Sequence, residues 1–237
     1  MSMYYSLAVL VLVLTLNQVH AGRIIGGHEA AAHSRPYMAL VVRSDLTSCG
    51  GFLVSKDFVL TAAHCKSSSY NVCVGMNKYH DQKKSCFSVE QDFPHEKYNN
   101  ETYANDIMLL KLATRAVFNE NVKPITMANN CESSVPKMCL VSGWGKTSED
   151  EEWQSSKLME VNVTLIDNEI CAEEKVYCSE GKKGPGQGDS GGPLVCEDGK
   201  AYGVVSASTK PSSDSMVYKY TKIPDYRMWI DEIMKLY

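Results

Sequence analysis

Short apolar segments bounded by turn residues recur along the chain. They are YMALVV (Tyr37 to Val42), GFLVSKDFVLTAA (Gly51 to Ala63), DIMLLKL (Asp106 to Leu112), MCLVSGWG (Met138 to Gly145), KLMEVNVTLI (Lys157 to Ile166), GGPLVC (Gly191 to Cys196) and AYGVVSAS (Ala201 to Ser208). Most are too short for typical helices, and several are rich in Val, Ile or Leu. Regular strands of this kind predict an all-β sandwich or barrels. No internal repeat or low-complexity linker interrupts the pattern. The end of the chain differs. In IPDYRMWIDEIMKLY, Tyr226, Trp229, Ile230, Ile233, Met234 and Tyr237 fall at helical spacing, with Pro224 near the first turn. That predicts a C-terminal amphipathic helix whose aromatic stripe packs on a core.

The first residues stand outside this pattern. Leu7 to Leu16 is a nearly unbroken apolar run, too short to span a bilayer. Val19-His20-Ala21 follows it as a small-x-small cleavage pattern, so residues 1–21 read as a secretory signal peptide. No second apolar run approaches membrane-spanning length. The expected product is therefore secreted or stored in a granule and has no membrane partner. Nine cysteines fit an oxidising compartment, and their odd number leaves at least one unpaired within the chain. No CxxC pair or His/Cys cluster with ligand spacing is present, so no zinc site is expected. The formal net charge is −4, and becomes −5 once residues 1–23 are removed. A mildly acidic protein has no long-range attraction for nucleic acid. The acidic run SEDEE (Ser148 to Glu152) reads as a solvated loop.

Three motifs carry chemistry. A serine hydroxyl is a poor nucleophile until an imidazole takes its proton and a carboxylate orients that imidazole. LTAAHC supplies His64, NDIMLLKL supplies Asp106 and GDSGGPL supplies Ser190 in a glycine-rich turn. Singly, each has an ordinary alternative: a structural histidine, a strand cap, an anion-binding turn. In the order His, Asp, Ser they resemble the trypsin/chymotrypsin family of serine endopeptidases. RIIGGHEAAAHSRPYMAL, GWG (Gly143 to Gly145) and YTKIPDYRMWI extend the resemblance over the whole chain after the signal.

The resemblance implies two packed six-stranded antiparallel β-barrels, a C-terminal helix and an active site in the cleft between barrels. Ser190 would be the nucleophile, His64 the general base and acid, and Asp106 the orienting carboxylate. Gly188 and Ser190 N–H groups would form the oxyanion hole, and Ser206 would support Asp106. Activation would follow cleavage between Arg23 and Ile24 by a trypsin-like protease. Gly22-Arg23 would be the propeptide and 24–237 the protease domain. The new Ile24 ammonium would then pair with Asp189. Disulfides Cys49–Cys65, Cys139–Cys196 and Cys171–Cys178 match the family. Cys73 and Cys86 could bridge neighbouring strands if their Cα atoms come within about 7 Å, leaving Cys131 odd. The missing clasp at Gly186 and the N-terminal motif point to the granzyme, chymase and cathepsin G branch, although that branch is usually strongly basic. The segment Gly75 to Cys86 matches the family's calcium loop. It carries Lys78, Lys83 and Lys84 and one acid, Asp81, so no calcium is expected and no cofactor is implied. Expected partners are protein or peptide substrates and serpin-type inhibitors, with the protease a monomer. Sequons at Asn100 and Asn162 are candidate glycan acceptors.

The stretch GKKGPGQ ahead of GDSGGPL bears on specificity. By resemblance the pocket positions are Gly184, Ser208 and Tyr218. Gly184 supplies no anion for a substrate Arg or Lys, and a phenol at Tyr218 would fill space an aromatic substrate needs. Ala207 replaces the family's Trp or Tyr. The expected cleavage is after small or medium apolar residues. One alternative is a polar or acidic preference through the Tyr218 hydroxyl or Lys219. Another is a triad-bearing homologue with an occluded pocket that acts mainly as a binding protein.

Overall fold

A computed structural model describes residues 24–237 apart from 83, 131–133, 147–152 and 211–214. The signal peptide, the propeptide with Arg23, Cys131, Lys83 and the whole SEDEE run therefore lie outside the described residues. Six strands form a closed first barrel: β2 (Met38–Arg43), β3 (Ser48–Leu53), β4 (Phe58–Thr61), β5 (Tyr70–Val74), β6 (Ser85–Pro94) and β7 (Met108–Leu112). They close in the order β2-β3-β4-β7-β6-β5. Six more form the second: β8 (Met138–Gly143), β9 (Met159–Ile166), β10 (Val176–Gly181), β11 (Pro193–Cys196), β12 (Ala201–Thr209) and β13 (Met216–Lys222). These run β9-β10-β13-β12-β11-β8, and the β8–β9 pairing closes the ring. A short β1 (His28–Glu29) adds to β9. All the pairings between strands are antiparallel.

The run Gly51 to Ala63 resolves into two strands. Ser55 turns the chain between them, its Oγ accepting from Asp57 N and Phe58 N. His64 then lies in a single 3-10 turn, Ala63–Cys65. The C-terminal helix α2 (Arg227–Leu236) follows a 3-10 turn that contains Pro224, one turn later than the proline alone suggests. A five-residue helix α1 (Glu169–Glu173) is capped by Asn168, whose side chain accepts from Ile170 N and Cys171 N.

The barrels share a seam. Val195, Ala201 and Val204 of the second barrel join the first barrel's core of Phe52, Val59, Leu109 and their neighbours. Helix α2 returns to that same core, burying Ile230 fully and packing Trp229, Ile233 and Met234 on it. Disulfides join Cys49–Cys65, Cys139–Cys196 and Cys171–Cys178, and also Cys73–Cys86, whose Cα atoms lie 4.0 Å apart on β5 and β6. Among the described residues no helix is long and apolar enough to cross a membrane.

Candidate active site

The 3-10 turn after β4 holds His64 at the seam. Its Nδ1 lies 2.7 Å from Asp106 Oδ2, and its backbone N–H donates to Asp106 Oδ1 at 2.9 Å. Ser206 Oγ donates to Asp106 Oδ2 at 2.6 Å. Asp106 has no solvent exposure, so these three donors replace its hydration. A carboxylate can only accept, so the proton on the contacting ring nitrogen belongs to Nδ1. That leaves Nε2 as the basic nitrogen. Thr221 Oγ1 on β13 fixes the Asp106 carbonyl at 2.9 Å. Ahead of it, Asn105 is held by the Tyr226 hydroxyl and by the Lys97 carbonyl.

Ser190 comes to the same place from the second barrel. Its carbonyl accepts from Gly50 N on β3 at 2.7 Å, next to Cys49 of the Cys49–Cys65 disulfide. One disulfide and one hydrogen bond thus tie the serine turn to the histidine turn. Ser190, His64 and Gly188 line one open cavity of about 780 Å³. Gly188 has φ +100°, a conformation that favours glycine. Asp189 is fully buried beside it. Its carboxylate accepts from Gly145 N at 2.7 Å and Gly186 N at 2.8 Å. Burial raises its pKa to about 7 against the pull of those two N–H groups, and no described cation pairs with it. Ile24 is buried in the second barrel's core, and the Ile25 carbonyl accepts from Gly184 N at 3.1 Å.

The sequence model of the trypsin family matches residues 24–230. The chain belongs to the trypsin family. It is 42% identical to mast cell protease 3 of Ovis aries over 233 residues, covering 92% of this chain and 91% of that protein. It is similarly 42% identical to duodenase-1 of Bos taurus, with the same coverage. Granzyme B of Homo sapiens is 39% identical over 241 residues, 94% of this chain and 96% of that protein. The protein is a serine endopeptidase of granzyme-like type, and its substrates are proteins or peptides.

Of the three positions expected to set specificity, Ser208 lies on β12, Tyr218 on β13 and Gly184 shortly after β10. Tyr218 pairs with Ser179 on one side and Ser208 on the other. Its ring lies directly on Gly184: a Cβ at that glycine would collide with the ring carbons. The phenol is buried, at 1% exposure. Lys219 is not available to it. Side chains alternate along a strand, and Lys219 Nζ contacts both Glu174 carboxylate oxygens at 2.7 Å on the opposite face. The alternative in which Lys219 binds an acidic residue in this pocket is corrected accordingly. Both sequon asparagines, Asn100 and Asn162, are exposed.

Some residues of this trypsin-family site carry no sequence signal. Tyr103 places its ring edge-on to His64, with centroids 5.7 Å apart. Gln154 lines the same cavity as His64 and Ser190: Ser48 Oγ donates to its Oε1 at 2.6 Å, and its Nε2 lies against Gly188. Neither residue type marks a protease, and both arrive from loops. Among the described residues, Cys49, Cys65 and His64 cluster with possible ligand atoms within 4.8 Å, but the two sulfurs are joined to each other. That set does not make a metal site.

Proposed function

We propose that this endopeptidase is a secreted zymogen, activated by a trypsin-like protease at Arg23, that cuts after small or medium apolar residues. In this reading residues 1–21 are the signal peptide, 22–23 the propeptide and 24–237 the monomeric, granule-stored or secreted protease. The observation that carries it is the Tyr218 ring lying over Gly184, in a chain whose His64 ring contacts Asp106.

Ser190 attacks the substrate carbonyl while His64 Nε2 takes the Oγ proton. Asp106 stabilises the imidazolium that forms and holds its orientation. The Gly188 and Ser190 N–H groups receive the developing oxyanion. His64 then gives its proton to the leaving amine, and water releases the acyl group by the reverse sequence. Beforehand, the freed Ile24 ammonium supplies the cation that buried Asp189 lacks, which orders the Gly188–Ser190 turn. Serpin-type inhibitors are expected to use the same cleft.

An organophosphonate probe tests this. After trypsin cleavage the wild-type protein labels and Ser190→Ala does not, while Arg23→Gln resists activation. A processed wild type that stays unlabelled would favour the occluded binding-protein reading instead.

A further inference from the structure

We propose that Gln154 is a positioning residue for the reaction. Its side-chain amide, fastened to Ser48 of the first barrel, holds Gly188 so that the Gly188 N–H stays directed at the developing oxyanion. This rests on the protease reading above.

The residues of the serine turn are held unequally. The Ser190 carbonyl accepts from Gly50 N, and the Asp189 carboxylate accepts from Gly145 N and Gly186 N. Asp189 N donates in turn to the Gly186 carbonyl at 3.1 Å. Gly188 lies between these anchors without one of its own. Among the described residues, neither its N–H nor its carbonyl bonds to another backbone group. Its φ of +100° is not self-maintaining, because glycine visits both signs of φ about as readily. The direction of its N–H therefore depends on what flanks it. One flank is the Gln187 carbonyl, which accepts from Lys146 N at 2.7 Å. In a trans peptide the N–H points away from the carbonyl of the same plane, so this bond aims the Gly188 N–H from one end.

Gln154 supplies the other end. A Cβ at Gly188 would collide with Gln154 Nε2 and come within 3.1 Å of Gly145 Cα. The amide thus occupies the space a side chain would take and packs on the glycine Cα. The amide is itself fixed. Ser48 Oγ donates to Oε1 at 2.6 Å, which leaves the NH2 end toward Gly188. Ser155 N donates to the Gly145 carbonyl at 3.2 Å, so the same loop is pinned to the residue whose N–H holds Asp189. Ser48 is on β3 beside Cys49, whose disulfide partner Cys65 adjoins His64. The path Ser48–Gln154–Gly188 therefore joins the oxyanion turn to the barrel that carries His64. The Gly50–Ser190 bond makes the same crossing for the nucleophile.

The test uses enzyme processed at Arg23, with its active sites counted by the phosphonate probe. Gln154→Ala and Ser48→Ala should each lower kcat on a peptide substrate by about tenfold to a hundredfold, short of the roughly 10²–10³ that outright loss of an oxyanion donor costs. KM should stay within about twofold of wild type, since the contact acts on the transition state, and thermal midpoints should match. The double variant should be no slower than the slower single, because two cuts in one path do not add. Ser48→Thr, which keeps the hydroxyl, should restore most of the kcat lost in Ser48→Ala. An unchanged kcat in Gln154→Ala, or losses that multiply in the double variant, would overturn the inference. So would a loss confined to KM, which would make Gln154 a substrate contact, or a lower midpoint with kcat intact, which would make it scaffold. Wild-type enzyme that does not label would overturn the protease reading, and the role of Gln154 with it.

Discussion

Asp189 has no solvent exposure and no described cationic partner, and burial holds its pKa at about 7 instead of the ordinary 3.8. An acid whose folded pKa is raised favours the folded state at low pH. That contribution is complete below about 3.8 and is lost as pH rises through about 7. For the uncut chain the loss amounts to about 4 kcal/mol across that window. A paired ammonium at Ile24 would lower the Asp189 pKa and remove the penalty. Urea unfolding of the uncut chain should therefore show stability falling between pH 4 and pH 8, with a much flatter profile after cleavage at Arg23. Parallel profiles for the two forms would argue against the pairing. The residue types at this scale were legible: His64, Asp106 and Ser190 each sit in a motif with its own chemistry. Gln154 and Tyr103 were not, because a glutamine or a tyrosine in a polar loop is ordinary until the loop's position is known.

Strand β13 shows how one element divides tasks by alternation. Tyr218 and Tyr220 point inward, the latter bonded to Ser179 Oγ at 2.8 Å, while Lys219 and Thr221 serve Glu174 and Asp106 on the other face. Truncating Tyr218 should open the floor over Gly184. Tyr218→Ala is expected to extend cleavage to Phe, Tyr and Leu at the residue before the cut. It should also destabilise the fold by roughly 3–5 kcal/mol, as loss of a buried aromatic does. Library profiling and a denaturant titration read the two effects, and an unchanged profile would mean the ring does not limit entry. Strands with an unbroken apolar run were readable from sequence. Ser85–Pro94 was not, because it alternates polar residues with few buried ones and gives little hydrophobic signal. The polar VYCSEG of β10 escaped for a similar reason: its burial comes from strands on either side.

At the scale of the molecule, the cleft depends on two barrels being held in one register. The seam of Val195, Ala201 and Val204 does part of this. Helix α2 does another part, since the chain leaves the second barrel at β13 and returns to bury Ile230 in the first barrel's core. His95 and Phe93 at the end of β6 meet Trp229 and Tyr237 of that terminal segment, with ring centroids 5.2 and 4.7 Å apart. Ile230→Ala should cost about 2–5 kcal/mol of stability. Its thermal midpoint should drop while the kcat of the folded fraction at low temperature stays near wild type. A selective loss of kcat without a change in midpoint would place the helix in the catalytic machinery rather than in the scaffold. The helix was predictable because its apolar spacing is local, although that spacing alone does not say which barrel it covers.

The sequence by itself determined the reaction class, the all-β character and the terminal helix, because motif chemistry and side-chain period are carried by neighbouring residues. By resemblance it also singled out Tyr218 and Gly184 as positions to look at together. Only the tertiary structure decided that the Tyr218 ring meets Gly184, that Lys219 turns away to Glu174, and that Gln154 lies against Gly188. Those contacts join residues far apart in the chain. A strand's period fixes which side chains share a face, but barrel closure decides which strand or loop lies opposite that face.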